Sequence, residues 1–236
     1  MRVRLANSED LGQGDLMNDD DRGLGLHPGD KHYRAYVGHP SRYDVLTGQQ
    51  FGLLTSYGLR EHHRVCDIGC GSLRLGRVLM PFLLPGNYFG IEPNEWLIQE
   101  GVEKECGEDL VRIKRPVFYH GEDFQVSRFR VTFEFVIAHS IFTHATMGQI
   151  RQCLREVSAC LSSGGQFFAT FQPAEHDHLG EAWHYPSCCG YRYETIRALA
   201  KESDLTCDQV EWPHPEFQEW LRLTHPESAA RRREEN

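Results

Sequence analysis

The 236-residue chain reads as a doubly wound α/β protein, a mainly parallel seven-stranded sheet with an antiparallel edge hairpin and helices on both faces. Three observations predict it. Short apolar runs of strand length alternate with helical periodicity through the middle of the chain. Two glycines sit where the first run passes into a helix, the turn at which such sheets bind ligands. Two late runs, TCDQVEW and FQEWLRL, are separated only by the Pro-rich bend PHPE, so they are expected to pair antiparallel at the sheet edge.

The strands are expected at 64–68, 87–91, 116–119, 131–138 and 165–171, each a short apolar stretch bounded by turn residues. A helix is expected from Asn94, a good N-cap, to Gly107. The clearest helix is 147–161, where Met147, Ile150, Cys153, Leu154, Val157, Cys160 and Leu161 repeat at i, i+3, i+4, i+7. Thr146 and Gln149 form its capping box, and Gly164-Gly165 are expected to end it. A further helix is expected at 192–203. Strand–helix–strand units then close as right-handed crossovers.

Hydrophobic residues make up 40% of the chain and charged residues 25%, enough for a core. No window approaches the roughly 18 apolar residues of a membrane helix. With 25 Lys plus Arg against 34 Asp plus Glu, the net charge of −9 argues against nucleic acid and anionic membranes and favours a cationic ligand. The eight cysteines include no C-x-x-C pair and follow no secretory signal, so reduced thiols and a cytoplasmic location are expected. Residues 1–30 hold seven acids, three bases and five glycines and are expected to form a flexible acidic tail; residues 226–236 are expected to behave likewise. Between them lie a helical segment, 31–60, and the folded domain, 61–225.

The chemistry concentrates in Asp67-Ile68-Gly69-Cys70-Gly71-Ser72-Leu73-Arg74. Glycines there let a ligand approach the backbone. Glu92, which closes the second strand about 20 residues on, is placed to accept hydrogen bonds from ribose hydroxyls. Arg74 occupies the third glycine position of a dinucleotide fingerprint and obstructs the close approach that NAD needs. Asp67 adds a negative charge that repels a pyrophosphate and attracts a positive group. The ligand expected is a nucleoside with a cationic or zwitterionic tail.

VCDIGCGSLRLG, FGIEPN, HGEDF (120–124), FEFVIAHSIFTHAT (133–146) and LREVSACLSSGGQFFATF (154–171) together resemble, in order and spacing, the motifs of the class I S-adenosylmethionine-dependent methyltransferases. The resemblance implies a Rossmann-like transferase using S-adenosylmethionine and releasing S-adenosylhomocysteine. It implies a cofactor site built on Asp67, Gly69, Cys70, Gly71 and Arg74 of the first motif, Glu92 and Pro93 of the second, and Ser140 of the fourth. Asp123 would accept the adenine amino group and Phe124 line the adenine face. The segment 31–60 resembles a helical lid, with Tyr36 and Tyr43 reaching the cofactor and Tyr33 and Arg34 the acceptor; packing of the tyrosines on the core is the competing reading.

Methyl transfer is an in-line displacement governed by proximity and orientation, aided by a base where the acceptor is a hydroxyl or a protonated amine. Candidates stand beside the fourth-strand exit. His144 is the expected base, with packing beneath the cofactor or helix capping as its alternative. His139 is the second catalytic candidate; alternation along a strand lets only one of His139 and Ser140 face the ligand. Arg74 has two readings, pairing with the methionyl carboxylate or an acidic substrate, or projecting from a helix surface. Phe142, His178, Trp183 and Tyr185 are expected to line the acceptor site, the last three from the long loop 172–191. His176, Asp177, His178 and His184 match no metal-site spacing, so no metal is expected. The function expected is methyl transfer to oxygen or nitrogen of a small molecule or peptide. The alternative is a catalytically silent S-adenosylmethionine-binding scaffold.

Overall fold

The computed structural model describes residues 22–226. A 3-10 turn (Pro40–Arg42) leads into α1 (Tyr43–Ser56). There follow β1 (Val65–Ile68), α2 (Gly76–Phe82), β2 (Tyr88–Ile91), α3 (Glu95–Gly101), α4 (Glu108–Lys114), β3 (Val117–Tyr119) and β4 (Phe133–Ala138). The chain ends through α5 (Met147–Cys160), β5 (Leu161–Pro173), β6 (Gly190–Tyr191), α6 (Tyr193–Glu202), β7 (Thr206–Val210) and β8 (Glu219–Thr224). The sheet order is β3-β2-β1-β4-β5-β8-β7, with β8 antiparallel to both of its neighbours and the two-residue β6 added beside β5. The expected architecture and edge hairpin are present; the eighth strand was not foreseen, because two residues leave no periodicity to read.

Alternate residues of the central strands feed two cores. Val136, Ala138 and Phe167 pack with Ile150, Leu154 and Val157 of α5 and Ile196 of α6. Phe135, Ile137 and Phe168 pack on the other face with Leu53 and Leu54 of α1 and Leu79 of α2. Each fully buried aliphatic side chain contributes about 1.5–3 kcal/mol, so the near-continuous apolar strands are what a sheet covered on both faces requires. The order reverses between β1 and β4, which opens a crevice at their carboxyl ends.

Some local expectations are corrected. The Thr146–Gln149 capping box is formed, but α5 ends at Cys160 and passes directly into β5. Gly164 and Gly165 lie inside that strand, at an irregularity in its pairing with β4; a Cβ on Gly165 would stand 2.8 Å from the Phe133 carbonyl oxygen. The helix from Asn94 does reach Gly107, its last turn widening to a π-helix (Val102–Cys106), but the Asn94 side chain bonds Glu92 instead of capping. Of the segment 1–30 expected to be a flexible tail, residues 22–30 form successive turns joined to the fold, with the Gly29 amide donating to the Ala35 carbonyl. Residues 1–21 and 227–236 lie outside the described residues.

Candidate active site

A cavity of about 400 Å³ opens at the carboxyl ends of β1, β2 and β4, a size suited to a cofactor. Its floor is the turn after β1. Gly69 and Cys70 both donate backbone N–H to the Ile91 carbonyl, which ties the turn to β2. Gly69 (φ +71°) and Gly71 (φ +53°) take left-handed conformations. A Cβ on them would come within 2.1 Å of Ile141 and 2.6 Å of Val37 respectively, so only glycine keeps this cradle open.

Glu92 lines the cavity beside Pro93. One carboxylate oxygen accepts the Gly71 amide at 3.1 Å and the other accepts the amide and side chain of Asn94 at 2.9 and 2.8 Å. Burial raises its pKa, against the lowering effect of these bonds. A carboxylate has about four lone-pair sites, so one remains for a hydroxyl donor. Phe124 also lines the cavity, held at φ +53°.

The structure does not bring every expected residue to this cavity. Asp67 is buried behind the turn, where the Tyr88 hydroxyl donates to it at 2.9 Å. Burial lifts its pKa to about 7, opposed by that bond and by Arg74. Cys70 turns its thiol into the core towards Gly90, because the strand-side face of the turn is apolar. Tyr43 lies fully buried under the turn and donates to the Ser72 carbonyl at 3.0 Å. Asp123 does not line the cavity: its carboxylate accepts the Tyr119 hydroxyl at 3.1 Å, and its neighbour Glu122 takes the lining position.

At the β4 exit, His139 and Ser140 both line the cavity. The alternation that would have allowed only one of them ends at Ser140, which turns to φ +58° and donates its amide to Thr170 Oγ1 at 2.7 Å. Arg74 also lines the cavity and does not project from a helix surface. Its Nη1 donates to the Val37 carbonyl at 2.8 Å and its Nη2 to His139 Nδ1 at 2.9 Å. Phe142, expected on the acceptor side, is wholly buried in the core.

His144 lines the cavity with Trp183 and Tyr185 around it, ring centroids 5.7 and 5.0 Å away. Its Nδ1 lies 2.8 Å from the Ser187 carbonyl oxygen. A carbonyl only accepts, so Nδ1 carries the proton and Nε2 of the neutral ring keeps a lone pair. Burial lowers the pKa of His144, partly offset by the Ser187 bond, which keeps it neutral near pH 7.

Two segments meet over the cavity. Tyr36 packs against Tyr185 and Trp96, and the Tyr185 hydroxyl donates to the Tyr36 carbonyl. The other expected residues of the N-terminal segment serve as its anchor. Tyr33 and Arg34 both reach Glu105 of the π-helix, at 3.0 and 2.9 Å, which also pairs with Arg77. His178 lies away from the cavity, its ring 5.0 Å from His184. Among the described residues, no group of three or more His, Cys, Asp or Glu side chains is arranged to hold a metal.

Sequence reasoning missed Asn94, Glu122 and Gln149 on the cavity wall. It also missed His214 and Gln218, which back the site from the segment between β7 and β8. His214 Nε2 is 2.8 Å from His139 Nε2, and Gln218 Nε2 donates to Ser140 Oγ at 2.9 Å. Asn94 and Glu122 adjoin motif residues and were within reach of a closer reading. Nothing local marks His214, whose partner is 75 residues away.

The fold and this crevice define a doubly wound α/β protein with a cavity at the carboxyl ends of its central strands. Residues 66–167 match the family model of a methyltransferase domain, the family that the motifs resemble. Among solved structures, it is similar to a magnesium protoporphyrin IX methyltransferase from Synechocystis with bound S-adenosylmethionine. That likeness has 15% identity and TM-score 0.60 over 79% of this chain and 81% of the other. A glycopeptide N-methyltransferase complexed with S-adenosylmethionine shares 12% identity, with TM-score 0.57 over 76% of this chain and 94% of its own. An O-methyltransferase family protein from Burkholderia thailandensis shares 11% identity, with TM-score 0.55 over 78% of this chain and 58% of its own. At these identities the likeness is one of fold.

Proposed function

We propose that this protein is a cytoplasmic methyltransferase that binds S-adenosylmethionine and methylates an oxygen or nitrogen of a small molecule or peptide. One observation carries the reading: Glu92, the glycine cradle and a neutral His144 with its Nε2 lone pair line one cavity. The residues suit the cofactor. Gly69 and Gly71 leave room that a Cβ would fill, Glu92 keeps an acceptor for ribose hydroxyls, and Phe124 offers an apolar face to adenine. When bound, S-adenosylmethionine supplies a methyl group on a sulfonium, an electrophile that needs no metal activation.

The chain's own part is positioning and proton removal. Trp183 and Tyr185 flank the acceptor side and hold a flat or apolar portion of the acceptor next to His144. His144 Nε2 takes the acceptor's proton, and the Ser187 carbonyl stabilises the resulting imidazolium through Nδ1–H. Tyr36 and Tyr185, joined over the cavity, exclude water. Small-molecule and peptide acceptors are in keeping with the porphyrin and glycopeptide methylated by two proteins of the same fold.

The test is transfer of labelled methyl from S-adenosylmethionine to fractionated small-molecule and peptide pools. Label is expected in an oxygen- or nitrogen-methylated product with the native protein, and at least about tenfold less with His144→Ala. Tight cofactor binding with no label in any fraction would favour the silent scaffold instead.

A further inference from the structure

His144 is 8% exposed and lines the cavity. Its Nδ1 is committed to the Ser187 carbonyl, and among the described residues nothing bonds its Nε2. The lone pair of a neutral ring only accepts. The atom to be methylated therefore arrives as a hydrogen-bond donor, and its surroundings decide between a hydroxyl and an ammonium.

Two segments border this side. Residues 172–191 supply Trp183 and Tyr185 to the cavity wall and the Ser187 carbonyl to His144. Residues 211–218 back the β4 exit: His214 and Gln218 reach His139 and Ser140, and Glu216 between them acts at range on Arg74 and on Cys188 of the first segment. Together the two segments hold Glu175, Asp177, Glu181, Glu211 and Glu216 and no Lys or Arg, in a chain with 25 of those bases. Among the described residues, only Asp177 of these acids forms an ion pair, with Arg192. Glu216 Oε1 is buried without a hydrogen-bond partner, a cost that a positive group nearby offsets.

The cavity wall has the same bias. Glu92 and Glu122 outnumber Arg74 among its charged side chains, and Tyr36, Trp183 and Tyr185 line it with rings whose faces attract a cation. Trp183 is also 42% exposed, so it carries the wall out to the rim and offers a flat surface to an aromatic body. A hydroxyl gains little from these charges. An ammonium gains from them and still donates to His144 Nε2.

We propose that the methyl acceptor is an amine on an aromatic body, bound as its ammonium ion. Segments 172–191 and 211–218 select it over an alcohol, with Glu216 as a specificity-determining residue. The inference rests on the methyltransferase reading of the cavity and narrows its acceptor atom to nitrogen. His144 Nε2 takes one ammonium proton and becomes an imidazolium. The freed nitrogen lone pair forms the new N–C bond while the C–S bond breaks, its electron pair staying on sulfur. The product is again an ammonium, so the carboxylates favour the cation before and after transfer, and the imidazolium returns its proton to water.

The experiment measures binding of tryptamine, tryptophol and indole-3-propionate, by calorimetry, to the protein saturated with S-adenosylhomocysteine. The three share an indole and present an ammonium, a hydroxyl and a carboxylate. Tryptamine is expected to bind at least about tenfold tighter than tryptophol, the margin between a charge-assisted and a neutral hydrogen bond, and indole-3-propionate weakest. Glu175, Glu181 and Glu211 are exposed. Raising the salt from about 0.05 to about 0.5 M should therefore cut the preference severalfold and leave tryptophol unchanged. Glu216→Gln is expected to cut it at least about threefold while S-adenosylhomocysteine and tryptophol still bind, which reports an intact cavity. If that variant fails to fold, the salt dependence decides. Equal affinity for tryptamine and tryptophol, binding of none of the three, or a preference that neither salt nor Glu216→Gln lowers overturns the inference. Failure of the methyltransferase reading looks different: S-adenosylhomocysteine itself does not bind the native protein.

Discussion

Glu92 spends three of its lone pairs on Gly71 and Asn94, which fixes the carboxylate at the cavity wall with one acceptor left over. Glu92→Ala is therefore expected to weaken S-adenosylmethionine binding by about 1.5–3 kcal/mol in a calorimetric titration. His144 is held neutral by burial, so the acid limb of kcat/KM is expected below the ordinary histidine value of about 6.5. In His144→Ala that limb should vanish while cofactor affinity stays within about twofold; unfolding or lost cofactor binding would make the residue structural. Asp67 gives a prediction of opposite character. Its carboxyl titrates at about 7 in the folded chain and at 3.8 ordinarily, so between these values the native state holds a proton that the unfolded state has lost. Raising pH through 7 then destabilises the fold, and Asp67→Asn, still able to accept from Tyr88, escapes that loss. The variant's stability relative to the native protein should rise by about 1 kcal/mol between pH 6 and 8 in denaturant titrations. Glu92 and Arg74 were legible because spacing from the glycines selects them. Cys70 and Asp123 were assigned by motif membership and Tyr43 by the likeness of 31–60 to a lid; such resemblances record positions, while side-chain direction follows from packing that no local pattern encodes.

At the scale of elements, periodicity did well where a helix covers a sheet and poorly where the chain bends under tertiary pull. The α5 stripe and its capping box were readable because both are local. The run through Gly164-Gly165 was not, since the choice between ending a helix and bending a strand depends on β4 alongside. Ser140 is similar: alternation fails there because Thr170 of β5 captures its amide. The N-terminal segment was expected to offer Tyr33 and Arg34 to an acceptor, yet both are committed to Glu105, whose carboxylate also holds Arg77. The Arg34 and Glu105 side chains are each 7% exposed, so removing the shared carboxylate leaves Arg34 and Arg77 with only the exposed Asp44 as a partner. Glu105→Ala should cost about 3 kcal/mol in unfolding free energy and open the 31–37 segment to protease. Protection equal to the native protein would show that Tyr36 and Tyr185 alone secure it.

For the whole molecule, the alternation of strands with helices and the charge of −9 already point to an α/β protein for a cationic ligand. The strand order adds why the site lies where it does: reversal between β1 and β4 brings the glycine turn and the His139–His144 stretch to one crevice. The segments that finish the site, 31–37, 183–189 and 211–218, come from three remote parts of the chain, which is why its acceptor side was the least legible. Whether this crevice holds S-adenosylmethionine is decided by titration of the protein with S-adenosylmethionine, S-adenosylhomocysteine and NAD. Saturable binding of the first two and none of NAD is expected, because the turn lacks the third glycine of a dinucleotide fingerprint. Binding of NAD, or no binding of either sulfur nucleoside, would contradict it.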